Sequence, residues 1–89
     1  MPSVVAEYCQ TPNPNALKIV LARPLDGGPR SYRTPQDAAD DPLANALFAI
    51  EGVVGLLLMN SWLTVNKSPD ISWPKLKRDI EQTLTDHLA

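Results

Sequence analysis

Residues 53–67 read VVGLLLMNSWLTVNK, and the fold turns on how they are interpreted. Val53 to Met59 is apolar almost throughout and leaves no room for a polar face. So short an apolar run fits an interior strand covered on at least one side. Trp62 to Lys67 then alternates apolar and polar residues, the period of a strand with one buried face. Asn60-Ser61 between them suits a two-residue hairpin loop, so the two strands should pair antiparallel.

Working outward, Ser68-Pro69-Asp70 ends the second strand and a helix follows. Ser72 is its expected N-cap, with Ile71 and Leu76 placed as a hydrophobic staple. Trp73, Leu76, Ile80, Leu84 and Leu88 recur at helical steps as one apolar stripe. Lys75, Lys77, Arg78, Asp79, Glu81 and Asp86 cover the remaining surface. Upstream, Asp41 and Pro42 predict the start of another helix, of about three turns. Leu43, Leu47 and Ile50 make its stripe, and Gly52 suits a left-handed turn beyond it. Nearer the N-terminus, Ser3 to Cys9 and Ala16 to Ala22 read as strands joined by the turn TPNPN, Thr11 to Asn15. Pro24 to Pro29 is a loop by composition, and Ser31 to Thr34 a short edge strand. The predicted order is β-β-(β)-α-β-β-α, an α+β fold. Its two layers are an antiparallel sheet of about four strands and two helices on one face. Leu17, Ile19, Leu47, Leu63, Val65, Leu76, Ile80 and Leu84 should fill the space between the layers.

The chain has 89 residues, enough for a single domain spanning 1–89. At 44% hydrophobic residues it can pack a core. Eight Lys plus Arg against ten Asp plus Glu argue against a nucleic-acid partner. The longest apolar run, Gly52 to Met59, is far below the ~20 residues that span a bilayer, and no membrane partner is expected. MPSVVAEYCQ lacks the basic and apolar regions of a signal peptide, and the single unpaired Cys suits a reducing cytoplasm.

One Cys and one His cannot form a disulfide, a four-ligand zinc site or a four-thiolate cluster within the chain. Cys9 is the weak candidate for a metal or reactive thiol, against its ordinary use as a small apolar side chain. His87, the only imidazole, is remote in sequence and belongs to a helix end. No carboxylate pair or phosphate loop stands out: Asp40-Asp41 suits capping, and Gly27-Gly28 opens no helix. No catalytic residue is expected. Trp62 and Trp73 are core candidates first, though Trp is also enriched at partner-binding hot spots. Thr11, Asn13 and Asn15 carry polar groups at a rigid hairpin end, which suits partner recognition. The alternative is local, with the Asn side chains bracing their own turn.

Three segments taken together resemble the N-terminal domain of Nfu/NifU-type iron–sulfur cluster scaffold proteins. They are TPNPNALKI (11–19), DPLANALFAIEGVVGLLL (41–58) and NSWLTVNKSPDISWPKLKRDIEQTL (60–84). Within them stand the family patterns Thr-Pro-Asn-Pro-Asn-x-Leu-Lys, Thr-Val-x-Lys and Trp-x-x-Leu-Lys, in order. The resemblance implies an α+β fold and a role in cluster assembly or delivery. In full-length scaffolds of this kind the cluster is held by a Cys-x-x-Cys pair in a separate C-terminal domain. These 89 residues contain no such pair. The expectation is therefore a stand-alone accessory or adaptor module acting through protein–protein contacts. Its partners would be cluster-assembly or recipient proteins, a separate Cys-x-x-Cys domain among them. Iron or a cluster would be met transiently through the partner rather than bound directly. The competing reading is a thiol-dependent metal-handling protein or enzyme working through Cys9; Trp62 joins Thr11, Asn13 and Asn15 as a partner-binding candidate.

Overall fold

The computed structural model describes residues 4–25 and 29–88. Five strands and two helices follow in the order β1 (Val5–Gln10), β2 (Ala16–Leu21), β3 (Arg30–Tyr32), α1 (Pro42–Phe48), β4 (Val53–Leu58), β5 (Trp62–Lys67) and α2 (Trp73–Leu88). The strands form a single antiparallel sheet in the order β1-β2-β5-β4-β3. This is the α+β arrangement expected from sequence, with the short third strand completing the sheet at one edge.

Alternation decides which face is buried. Leu17, Ile19 and Leu21 of β2 are buried, as are Leu63 and Val65 of β5. They form one core cluster with Leu43, Leu47, Leu76, Ile80 and Leu84 of the helices. All eight residues expected in the core are there. Each large aliphatic side chain so buried contributes on the order of 1.5–3 kcal/mol. The apolar stripe of α2 is as expected through Leu84; the side chain of Leu88 lies outside the described set. Ser3, the first residue of the expected N-terminal strand, and Asp26, Gly27 and Gly28 of the expected loop also fall outside the described residues.

The structure corrects the sequence reading at three places. The N-terminal strand does not alternate cleanly, because a bulge between Val5 and Glu7 lets both Val4 and Val5 be buried. A second bulge between Val53 and Gly55 turns Val54 outward, 52% exposed. Finally, α1 has seven residues rather than the expected three turns. Beyond it the backbone tightens through Ile50 N–H to Leu47 C=O (3.1 Å) and Val53 N–H to Ile50 C=O (3.2 Å). Gly52 makes this reversal possible: its φ is 101°, and a Cβ there would sit 2.8 Å from Ile71 Cγ1. The start of α1 is as expected, with Ala44 N–H donating to Asp41 Oδ1 at 3.2 Å and Pro42 in the first turn. No helix among the described residues is long and apolar enough to cross a membrane.

Candidate functional site

The turn between β1 and β2 is built from its own polar groups. Asn15 N–H donates to Asn13 Oδ1 at 2.9 Å, an Asx-turn. The Thr11 hydroxyl lies 2.9 Å from the carbonyls of both Asn13 and Ala16 and accepts the Asn13 N–H at 3.2 Å. Ala16 N–H closes the loop onto Asn13 C=O at 3.0 Å. Pro12 and Pro14 remove two donors that such a tight loop would leave unpaired.

Distant segments then dock onto this turn. Lys67, at the end of β5 and only 9% exposed, donates from Nζ to Asn15 Oδ1 at 3.1 Å and to Ser68 C=O at 3.3 Å. Its backbone N–H bonds Asn15 C=O at 2.8 Å. The ammonium also stands 5.6 Å from the centroid of the Trp73 ring. A buried ammonium needs such partners, because stripping water from it is costly otherwise. Trp73, the first residue of α2, donates from Nε1 to Pro14 C=O at 3.0 Å. Turn, strand end and helix start are thereby tied at one point. Asn15 works within the fold through its Oδ1, and Asn13 likewise; Asn13 itself is exposed.

Between the turn and α2 lies a cleft of about 290 Å³, lined by Gln10, Thr11, Pro12, Asn13, Trp73 and Lys77 among others. Lys77 Nζ lies 5.0 Å from the centroid of the Tyr8 ring. The Tyr8 hydroxyl donates to Glu81 Oε1 at 3.3 Å. Burial first, then the Glu81 carboxylate beside it, pushes the Tyr8 phenol up to about 12.

Trp62 is elsewhere. It pairs with Val20 at the opposite end of β2 from the turn, on the sheet face that carries no helix, with Lys18 Nζ 4.7 Å from its ring centroid. Cys9 pairs with Lys18 and so shares that outer face. His87 lies on α2, in the other layer, so the fold does not bring the thiol and the imidazole together. The described residues contain no group of three or more His, Cys, Asp or Glu placed to hold a metal ion. Cys9 is the single thiol in the sequence, whereas an iron–sulfur cluster is held by about four ligands.

Two features escaped the sequence reading. Alternation puts Lys67 on the buried face of β5 with Leu63 and Val65, and the sheet order, which sets β5 beside β2, supplies Asn15 as the partner of its ammonium. Asp41 does more than cap α1. It is buried and accepts the Tyr32 hydroxyl at 2.9 Å and Arg30 Nη1 at 3.1 Å, tying edge strand β3 to the helix. Burial and then the Asp41 carboxylate raise the Tyr32 phenol above its usual range.

Residues 7–89 match the family described as scaffold protein Nfu/NifU N terminal. The chain belongs to this family. It is 40% identical over 81 residues to the human mitochondrial NFU1 iron-sulfur cluster scaffold homolog, covering 89% of this chain and 32% of the relative. It is 38% identical over 77 residues to the mitochondrial NifU-like protein 5 of Arabidopsis thaliana, covering 85% of this chain and 28% of the relative. The chain thus spans about a third of the length of these curated relatives. Among solved structures, a NifU-like protein from Saccharomyces cerevisiae superposes with a TM-score of 0.79 at 24% identity, covering 96% of this chain and 79% of that one. A Staphylococcus aureus protein superposes at 0.76 with 23% identity, covering 90% and 96%, which shows the same fold. The Nfu patterns named from sequence converge in space. The Asn15 of TPNPN, the Lys67 of Thr-Val-x-Lys and the Trp73 of Trp-x-x-Leu-Lys are in contact, and Lys77, which ends the last pattern, borders the adjoining cleft.

Proposed function

We propose that this Nfu N-terminal domain is a non-catalytic docking module in iron–sulfur cluster assembly or delivery. It would engage assembly or recipient proteins, including those carrying a Cys-x-x-Cys domain, through the hairpin turn and the start of α2. The observation that carries this reading is the convergence of three separated family patterns at the hairpin turn, two of which, the turn itself and the start of α2, line the adjoining cleft. Folding alone needs no cleft at that point, and polar groups on a braced turn bind at little ordering cost. The name of the human relative describes a cluster scaffold. Here the single thiol of Cys9 leaves the cluster as the partner's cargo. The proposed compartment is a reducing one, the cytoplasm; the names of the human and plant relatives place those proteins in mitochondria.

Two measurements test the reading together. Anaerobic reconstitution of the purified chain, followed by visible absorption and iron analysis, should leave no stoichiometric cluster. Co-purification with a Cys-x-x-Cys scaffold domain should be retained by Cys9→Ala and weakened by Lys77→Ala. A chromatographically stable cluster on this chain, or loss of partner binding in Cys9→Ala alone, would instead favour a thiol-dependent metal-handling protein.

A further inference from the structure

The two edges of the sheet are finished differently. Edge strand β3 has three residues, is preceded by Pro29, and has Arg30 and Tyr32 bound to Asp41. Such short, tied edges resist pairing with another chain. Edge strand β1 is six residues long, with its one bulge confined to the Val5–Glu7 end. From Glu7 to Gln10 it pairs regularly with β2, and no strand among the described residues covers its other side. Gln10, where this regular stretch ends, is also part of the cleft wall. Helix α2 overhangs the same strand, with Lys77 and Glu81 both at the Tyr8 ring and hydroxyl. An open strand edge therefore runs beneath a helix into a cleft.

We propose that β1 accepts an extended segment of a partner protein as a sixth strand, with an acidic residue of that segment placed at Lys77. Main-chain hydrogen bonds along Glu7 to Gln10 would supply affinity, and side chains entering the cleft would supply choice. The acidic preference follows from charge: Lys77 borders the cleft and makes no ion pair among the described residues. The occupant is a partner rather than a second copy. Lys77 is the charged side chain among the residues lining the cleft, and the helix-side residues of a second copy's β1, Tyr8 and Gln10, offer it no carboxylate. The inference rests on the docking reading above and names the mode of recognition.

The test uses the whole chain, isotopically labelled, titrated with short synthetic peptides that alternate Val and Thr. One series is acidic at one end and a matched series is basic there. The acidic series should shift the amides of Glu7 to Gln10 and the indole N–H of Trp73 saturably, and bind about fivefold tighter than the basic series. Lys77→Glu should reverse that order. Peptides N-methylated at every residue, which cannot donate from either edge, should lose binding. Three results would overturn the inference: no shift in β1 with any peptide, equal binding by the N-methylated series, or concentration-dependent dimerisation of the chain through β1 without peptide. Should a Cys-x-x-Cys scaffold domain still co-purify while every peptide fails, the edge inference falls and the docking reading stands. Acidic peptides binding β1 without any scaffold partner would do the reverse.

Discussion

Replacing Asp41 by Ala should be among the most damaging single polar substitutions in this domain. Three interactions end at its carboxylate: the Ala44 N–H at 3.2 Å, the Tyr32 hydroxyl at 2.9 Å and Arg30 Nη1 at 3.1 Å. Losing an N-cap costs about 0.5–2 kcal/mol. Leaving a part-buried hydroxyl without its acceptor adds about 1 kcal/mol, the low end for such groups. The Arg30 pair adds less than about 1 kcal/mol, because the Arg30 side chain keeps 28% of its exposure. The sum is about 1.5–4 kcal/mol, a large part of the roughly 5–13 kcal/mol that holds a domain of this size. Asp41→Asn keeps one oxygen for the cap but sets an amide NH2, a donor, where Oδ2 accepts from Tyr32 and Arg30, so it should recover the cap alone and cost about 0.5–2 kcal/mol less than Asp41→Ala. Urea unfolding followed by circular dichroism and by Trp fluorescence measures both variants. A loss below about 0.5 kcal/mol for Asp41→Ala, or equal losses for the two variants, would refute the assignment of this carboxylate as cap and cross-link at once.

Other expectations concern the core, the turn and pH. Ile80, fully buried in α2, should cost about 2–5 kcal/mol when cut to Ala, read from the denaturation midpoint. The double change Asn13→Ala, Asn15→Ala removes both the Asx-turn and the oxygen that receives Lys67 Nζ. Its stability should fall by about 1–3 kcal/mol, with partner binding falling in step; intact stability with lost affinity would assign these side chains to the partner instead. At alkaline pH the native Tyr8 phenol stays protonated where the unfolded one ionises, so the native state binds more protons. Folding stability should therefore be full below pH 10.0 and decline as pH rises toward about 12, and Tyr8→Phe should flatten that decline in urea midpoints taken across the range.

Much of this architecture was legible where local pattern and tertiary outcome agree. ALKIVL and WLTVNK alternate, and both bury the residues that alternation selects. Asp41-Pro42 opens a helix, and the stripe of α2 packs inward. The misreadings arose where the cause is non-local. A bulge such as that at Val5–Glu7 depends on what the partner strand offers opposite, which the strand's own residues do not encode. The pairing of Lys67 with Asn15 and the cross-links of Asp41 depend on sheet order, and sheet order has no periodic signal. The candidate site was half legible. TPNPN stood out as a turn with more polar groups than geometry requires, yet nothing local indicated that Trp73 and Lys67 would close on it.

The sheet order has a consequence for how the chain reaches this structure. The β1–β2 and β4–β5 hairpins each close over a short loop, whereas the β2–β5 seam pairs Ala16 with Asn66 and Ile19 with Leu63, from opposite halves of the chain. Non-local pairings of this kind are slow to find and set the folding rate of small domains. During synthesis the first hairpin emerges with its apolar face, Leu17, Ile19 and Leu21, still uncovered. It stays so until residues 62–67 have left the ribosome and α2 has followed. The second half of the chain thus acts as the completing partner of the first, and the nascent hairpin is the stage at which this domain is most exposed to misassociation.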